Sequence, residues 1–299
     1  MQEVVQAIET PVSAAVPEKV VEPILRWAGG KRWLLPRLRR MLAGHTFARY
    51  HEPFLGGASI ALGLPGFPQT FLSDINAELI ETYQSVRADP GCVSQILGRY
   101  SNDESSYYDA RAGTPSDAYS RAARFIYLNH TSFNGIYRVN AHGKYNVPFG
   151  RRRHVRIPAE THLREAAHKL GNAQIQVADF QLAISNANEG DLLFLDPPYA
   201  TKGKSESFVR YNPNVFGFDD QKRLGESLSG AIARGAYFVL TNSADPSVRA
   251  IFEPMGHAFE LRRQSSVGGA NAKRGNVPEM LITNIGERSQ LVQHLEPGI

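Results

Sequence analysis

Leu192-Leu193-Phe194-Leu195-Asp196-Pro197-Pro198-Tyr199 is the stretch that decides how this 299-residue chain is read. Four consecutive large apolar residues match a short strand buried on both faces, as in parallel sheets covered by helices. A carboxylate closing such a strand lies at the carboxyl edge of the sheet, where open α/β folds bind ligands. The two prolines fix the backbone and carry no N–H, so the carbonyls around them only accept hydrogen bonds. An acid beside a rigid carbonyl is a pair of acceptors suited to a planar amino group, and Tyr199 adds a flat face for stacking. A proline pair alone is most often a stiffened strand exit. The acid before it and the tyrosine after it favour a ligand site.

Upstream, Glu52-Pro53-Phe54-Leu55-Gly56-Gly57-Ala58-Ser59 sets a glycine turn between a strand predicted at 49–54 and a short helix predicted from Ser59. Such a turn lets the backbone approach a ligand closely. It lacks the G-x-G-x-x-G spacing of dinucleotide sites, which argues against a nicotinamide enzyme. The next predicted strand, 70–73, ends at Asp74, 18 residues past Gly56. A carboxylate there is placed to accept hydrogen bonds from ribose hydroxyls, although acids at strand ends are also common turn residues. Nearer the start, Arg26-Trp27-Ala28-Gly29-Gly30-Lys31 combines close backbone amides, a cation for a carboxylate and a flat wall. A lone tryptophan is more often core. Asp179-Phe180, after a strand predicted at 174–177, reads equally as a binding pair and as a helix N-cap followed by a core phenylalanine.

The same alternation continues in helices predicted at 32–42, from Asp74 through Val86, and at 219–233, with strands at 237–240 and 280–283. It breaks between 88 and 170, which reads as helical pieces, one at 120–128, and a hairpin with arms 136–140 and 145–148. The tip, Ala141-His142-Gly143-Lys144, supplies the glycine that a short loop wants. The architecture predicted is a doubly wound α/β domain from residues 23–87 and 171–299, with 88–170 inserted and 1–22 a flexible N-terminal tail.

Composition narrows the class further. Hydrophobic residues make up 42% and charged residues 21%, ordinary for a globular protein. No run approaches the roughly 18–20 apolar residues that span a bilayer. The first 22 residues carry Glu3, Glu9, Glu18 and Glu22 and no uninterrupted apolar core, unlike a secretion signal. The single cysteine, Cys92, makes neither an internal disulfide nor a multi-cysteine zinc site, so a reducing cytoplasm is expected. Net charge is only +4, but residues 121–169 hold ten Lys/Arg against two acids, with five of the nine histidines. A field of that sign suits a polyanion, because each neutralised phosphate releases counterions; a solvated basic face is the alternative.

Taken in order, Trp27-Ala28-Gly29-Gly30-Lys31, Phe54-Leu55-Gly56-Gly57, Ser73-Asp74-Ile75-Asn76 and Asp196-Pro197-Pro198-Tyr199 resemble the Dam-like (D12 class, alpha-group) DNA adenine-specific methyltransferases. Asn134-Gly135-Ile136-Tyr137-Arg138-Val139-Asn140 and Gly143-Lys144-Tyr145-Asn146-Val147-Pro148-Phe149-Gly150 resemble that family as well, and the likeness covers residues 23–285. It implies a Rossmann-like S-adenosylmethionine-dependent methyltransferase fold with an inserted, mostly helical DNA-recognition domain carrying a β-hairpin. The cofactor implied is S-adenosyl-L-methionine, held by Trp27, Lys31, Phe54, Gly56, Gly57, Asp74, Asp179, Phe180 and Asp196. The reaction implied is methylation of the exocyclic amine of an adenine flipped from duplex DNA. Asp196 and the Pro197 carbonyl orient that amine, and Tyr199 stacks on the ring.

The resemblance assigns DNA contacts to Arg26, Phe133, Asn134, Arg138, Asn140, Lys144, Pro148, Arg151, Arg152 and Arg153. Among these, Phe133 is the candidate wedge, Arg138 the reader of a guanine beside the target adenine in GATC or a related site, and Arg151 and Arg153 phosphate contacts. Arg152 stands where GATC-specific relatives can have a tyrosine, and Ala58 where many members carry a further glycine. The partners implied are double-stranded DNA and, in a restriction–modification setting, a cognate restriction endonuclease. The protein is expected to be a monomer, with no metal and no membrane.

Elementary chemistry agrees with that reaction. Adenine's amino lone pair is delocalised into the ring, so two acceptors must draw its hydrogens toward a more pyramidal geometry. Positioning and electrostatics then do most of the work, without a metal. Two rivals remain. RNA or protein amide methyltransferases more often present Asn before Pro-Pro and lack the Arg138 hairpin. A catalytically silent DNA-binding relative is disfavoured by the intact Asp196, Tyr199 and Lys31.

Overall fold

Strands β1 (Tyr50–Glu52), β2 (Thr70–Asp74), β3 (Ala173–Val177), β4 (Leu192–Leu195) and β5 (Tyr237–Ser243) run parallel in a computed structural model that describes residues 20–199, 216–264 and 276–295. Strands β6 (His257–Gln264) and β7 (Asn276–Thr283) pair antiparallel with each other, and β7 antiparallel with β5. Together they form one mixed sheet in the order β3-β2-β1-β4-β5-β7-β6. Successive side chains of a strand face opposite sides. Leu192 and Phe194 accordingly enter one apolar cluster, and Leu193 and Leu195 the other. That two-sided burial is why β4 reads as an unbroken apolar run rather than an alternation.

The chain passes from β2 to β3 through α2 (Ala77–Ala88), α3 (Pro90–Leu97), α4 (Glu104–Ala112), α5 (Ala118–Thr131), a 3-10 turn at Phe133–Gly135 and α6 (Glu160–Lys169). Four of these helices start on a side-chain cap. Asn76, Asp89, Asp103 and Asp117 accept from the backbone N–H of Leu79, Cys92, Ser106 and Ser120 respectively. Each bond satisfies an amide that the helix cannot pair internally. Helix α5 buries an unbroken run from Phe125 to Thr131 and packs against α2, α3 and α4.

Several elements differ from their sequence-based expectation. The helix expected over 32–42 begins as a 3-10 turn, Arg32–Leu34, before α1 (Leu35–Leu42). No helix forms from Ser59. Ala58 sits in the left-handed region at φ 53°, and the bonds Leu62 N–H to Ala58 O (3.0 Å) and Gly63 N–H to Ile60 O (3.0 Å) alternate between two spacings. Such mixed turns do not propagate a helix. The hairpin arms face each other only at Val139 and Tyr145, with Asn146 N–H on Arg138 O at 3.0 Å and Asn140 N–H on Lys144 O at 2.9 Å. The tip is held, but the arms do not extend into strands. Strand β6 was not anticipated, and β7 starts earlier than 280 because β6 pairs with it from Gln264 to His257. The tail expected over 1–22 falls outside the described residues up to residue 19. Val21 is buried, its N–H bonded to Leu62 O at 3.3 Å. Among the described residues no helix is long and apolar enough to cross a membrane.

The glycine turn after β1 gives opposite expectations for two neighbouring substitutions. A Cβ at Gly56 would lie 2.8 Å from Trp27 Cδ1, on a backbone with φ +46°. Gly56→Ala should therefore destabilise by about 1–3 kcal/mol in chemical denaturation. Ala58→Gly, which relieves a left-handed alanine but removes a buried methyl, should change stability by no more than about 1 kcal/mol.

Candidate active site

The parallel strand order reverses between β1 and β4, and ligands of open α/β sheets bind at such a switch point. A cavity of about 400 Å³ opens there. Its walls are the segment Trp27–Lys31, the turn from Phe54 to Gly57, Glu52 at the end of β1, and Asp196-Pro197-Pro198-Tyr199 after β4. Tryptophan, phenylalanine and tyrosine faces thus share one space with two carboxyl groups.

Lys31 organises the floor. Its side chain is only 2% exposed, and Nζ lies 2.9 Å from Asp196 Oδ1, 3.6 Å from Glu279 Oε2 and 2.8 Å from the Gly29 carbonyl. The Lys31 N–H donates to Ser59 Oγ at 3.1 Å, which fastens the segment to the turn after β1. Nζ also sits over the Tyr199 ring, 5.1 Å from its centroid. Asp196 Oδ1 accepts a second bond, from Thr241 Oγ1 of β5, at 2.8 Å. Burial raises the Asp196 carboxyl above its ordinary range, while the Lys31 ammonium and the Thr241 hydroxyl pull it back toward the carboxylate.

Glu52 is buried beside this cluster. The Tyr50 hydroxyl donates to its Oε2 at 2.7 Å. Desolvation nevertheless dominates and lifts its pKa from 4.5 to about 8, with the charge of Asp196 adding to the rise.

The glycine turn is shaped around Trp27, whose ring occupies the space that a Cβ at Gly56 would need and whose own Cβ lies 2.8 Å from where one at Gly57 would stand. Trp27 also stacks on Tyr137, with centroids 5.7 Å apart and planes at 22°. The Gly56 N–H donates to Asp74 Oδ2 at 3.0 Å, and the Asn76 N–H to Asp74 Oδ1 at 2.9 Å. Asp74 thus touches the cavity through the turn, not as part of its wall. Burial raises its carboxyl, opposed by bonds from the Asn76, Gly56 and Ile75 backbone.

Asp179 and Phe180 also lie outside the cavity wall. Asp179 Oδ1 accepts from the Gln181 N–H at 2.9 Å and caps α7 (Phe180–Ser185). Phe180 is buried and stacks on Phe54, centroids 5.5 Å apart, which carries it to the rim of the site through one ring.

The residues singled out for DNA gather around α5 and the segment after it. Arg26, Phe133, Asn134, Arg138, Asn140, Lys144, Pro148, Arg151 and Arg153 are exposed, and Phe133 is 51% accessible despite its apolar ring. Arg138 is braced by Asn146, Nε to Oδ1 at 2.7 Å and Nη2 to the carbonyl at 3.1 Å. Arg151 pairs with Glu104 at 2.9 Å. Arg152 differs from its neighbours: it is half-buried and donates to the carbonyls of His130 and Ser132. Gly150 is required where it stands, since a Cβ there would lie 2.6 Å from Ser132 O.

Glu52, Thr241 and Glu279 join the site without having been singled out as site residues. Glu52 carried a signal, as the acid opening the Glu52-Pro53-Phe54 turn, whereas Thr241 and Glu279 lie in strands with no local mark of chemistry.

The protein is thus an α/β fold with a cavity at the carboxyl edge of a mainly parallel sheet. Residues 27–265 match the D12 class N6 adenine-specific DNA methyltransferase family, and the chain belongs to that family: it is an N6-adenine DNA methyltransferase. It is 30% identical over 279 residues to the type II methyltransferase M1.LlaDCHI of Lactococcus lactis subsp. cremoris, covering 89% of this chain and 96% of that protein. It is 31% identical to the type II methyltransferase M.MjaIII of Methanocaldococcus jannaschii, over 88% of this chain and 99% of that one. It is likewise 31% identical to the DNA adenine methylase of Escherichia coli, over 86% and 93%.

The raised pKa of Glu52 has a defined sign in stability. The folded protein holds this proton more tightly than the unfolded chain, so the contribution is greatest below 4.5 and is lost as pH rises toward about 8. Glu52→Gln keeps an acceptor for Tyr50 and removes the titration. The melting temperature of the variant relative to wild type should climb between those two pH values and stay level above them.

Proposed function

We propose that the cavity binds S-adenosyl-L-methionine beside a flipped adenine, and that Asp196 and the Pro197 carbonyl accept the two hydrogens of the adenine's amine. The single observation that carries this reading is the placement of Asp196. It closes a fully buried strand, is 20% exposed toward the cavity, and is held by Lys31 and Thr241 on one oxygen. We assign Oδ2 to the substrate amine. The Lys31 ammonium opposes the rise that burial imposes on this carboxyl and so favours the carboxylate form, which accepts hydrogen bonds on both oxygens.

The residues present fit a sulfonium cofactor. Carboxyl groups outnumber the single ammonium around Lys31, and the faces of Trp27, Phe54 and Tyr199 offer negative potential to a cation. When bound, S-adenosyl-L-methionine supplies an electrophilic methyl group. Trp27, Lys31, Phe54, Gly56, Gly57 and Asp196 would hold it at the cavity, while Asp74, Asp179 and Phe180 would act at its rim, Asp74 on ribose hydroxyls. The chain's part in the chemistry is to orient the amine, stack the ring on Tyr199 and exclude water, so that nitrogen and methyl carbon meet in line. The nitrogen's lone pair would form the new bond as the sulfonium–methyl bond breaks, its electron pair staying on sulfur to leave a neutral thioether, and the proton the nitrogen then sheds would leave through the Asp196 side of the site.

For DNA, we assign residues 88–170 to target recognition. Extruding a base from duplex DNA costs a few kcal/mol. The exposed ring of Phe133 is placed to fill the gap, and the basic segment to offset the cost through phosphates. Arg138, held by Asn146, is pre-oriented to read a guanine next to the target in GATC or a related site. The enzyme is a monomer in solution, and its substrate is double-stranded DNA. The acidic rather than amide residue before Pro-Pro disfavours RNA or protein amide substrates.

Asp196→Ala should reduce transfer of tritiated methyl groups to DNA by orders of magnitude while DNA binding persists, and near-normal turnover would overturn the assignment. Tyr199→Ala should lose stacking worth about 1–3 kcal/mol, with Tyr199→Phe tolerated.

A separate expectation concerns base reading. Arg138→Ala should flatten preference at one position of the site, seen by long-read sequencing of modified DNA. Arg153→Ala should weaken all sequences alike and lower the salt slope by about one. An equal loss on every sequence for Arg138→Ala would make it a phosphate contact instead.

A further inference from the structure

Behind the Asp196-Pro197-Pro198-Tyr199 loop stand two carboxamides that have no part in the cavity wall. Gln221 belongs to the helix Phe218–Ala233, α8, and Asn242 to β5. Gln221 Nε2 donates to the Pro198 carbonyl at 3.2 Å. Gln221 Oε1 accepts from Asn242 Nδ2 at 2.9 Å, and Asn242 Oδ1 accepts from the Ser243 N–H at 2.8 Å. Both side chains are 0% exposed. The last bond fixes which way the Asn242 amide faces, and Asn242 in turn fixes Gln221, because an amide oxygen cannot donate and an amide nitrogen cannot accept. The chain of donors therefore ends, with its direction set, on the catalytic loop.

The surroundings make this pair costly. Leu224 and Leu228 on the same helix, and Leu240 on the same strand, are fully buried apolar residues. Buried carboxamides must keep every bond to offset their desolvation. The helix is itself anchored at its start, where Asp220 Oδ2 accepts from the Gly217 N–H at 2.9 Å and Arg223 pairs with Asp220 at 2.6 Å and Asp179 at 3.4 Å.

What the bond does to the loop follows from proline geometry. Both prolines have φ fixed by their rings and neither has an N–H, so the ladder of the sheet cannot hold this segment. Its remaining freedom is rotation about ψ, which swings the carbonyls. A donor on the Pro198 carbonyl removes that freedom one peptide beyond the Pro197 carbonyl.

We propose that Gln221, oriented by Asn242, is a positioning residue for methyl transfer. It sets the direction of the Pro197 carbonyl relative to Asp196, so that both acceptors meet the amine together. The role rests on the assignment of Asp196 and Pro197 as the amine's acceptors. Misplacing one of two acceptors affects the reacting geometry and leaves the contacts that bind cofactor and DNA in place.

The test uses the full-length enzyme and three variants. Gln221→Leu keeps the bulk and removes the donor. It should lower kcat roughly ten- to a hundredfold, with unchanged affinity for S-adenosylhomocysteine and for target DNA. Gln221→Glu still accepts from Asn242 but donates to Pro198 only when protonated. Over the pH range in which circular dichroism shows the variant as fully folded as wild type, the ratio of its kcat to that of wild type should rise as pH falls, a change that loosening of the core does not produce at constant folded fraction. Should Gln221→Leu fail to fold, that pH profile decides alone. Asp196→Ala separates the two layers of the argument. If it is inactive while Gln221→Leu has normal kcat, or while Gln221→Glu follows the wild-type profile, the positioning role is overturned and the acceptor assignment stands. If Asp196→Ala keeps near-normal turnover, both fall.

Discussion

The pairing of Lys31 with Asp196 is the constraint on which the rest of the site depends. Removing an ammonium and a carboxylate from water costs several kcal/mol per ion, and only close geometry with further hydrogen bonds repays it. Here the geometry is closed by Gly29, Thr241 and Glu279. The ammonium therefore gathers the segment 26–31, the exit of β4, the middle of β5 and the antiparallel strand β7 onto one point. Loss of either member of the Lys31–Asp196 pair would leave the other charge buried with less compensation, so the two hold the floor of the cavity together.

From that point the structure builds outward in two directions. Toward the sheet, Asp196 continues into a proline pair whose rigidity comes from ring closure and from a carbonyl bonded by Gln221. Toward the β2–β3 connection, the segment carrying Lys31 is clamped by Asn129 of α5. The Arg26 N–H donates to Asn129 Oδ1 at 2.7 Å, and Asn129 Nδ2 donates to the Arg26 carbonyl at 2.8 Å. Trp27 next to it is wedged between the glycine turn and Tyr137, whose hydroxyl reaches Glu78 of α2 at 2.8 Å. The same few residues thus face the cavity and rest on the elements that lie around the exposed basic surface.

Electrostatics at the exposed face is more differentiated than its net charge. Arg138, Arg151 and Arg152 fall within fifteen residues of one another and carry the same charge, yet one is braced across a turn by Asn146, one pairs with Glu104, and one is spent on the carbonyls of His130 and Ser132. Arg152, half-buried and bonded to two carbonyls, supports the loop, while Arg138 and Arg151 stay exposed. Position in the fold, not charge, separates the exposed guanidiniums of such a cluster from the half-buried one.

Much of this was determined by the sequence alone, because it rests on local rules. An unbroken apolar run specifies a two-faced strand, paired prolines fix a strand exit, adjacent glycines open a turn, and an Asp or Asn three residues before a helical amide caps it. These rules place β4, the Asp196-Pro197-Pro198-Tyr199 exit and the Gly56-Gly57 turn. The basic segment was equally legible, since charge adds along the chain whatever its conformation. Only the tertiary structure decided the rest. Glu279 carries no local mark, yet it meets Lys31 across nearly the whole chain, and Glu52 took on a raised pKa because it is buried. Even β6 waited on its partner, for an edge strand is defined by the ladder it joins. Periodicity and caps act over a few residues, whereas convergence, burial and the pKa values that follow from them belong to groups brought together through space.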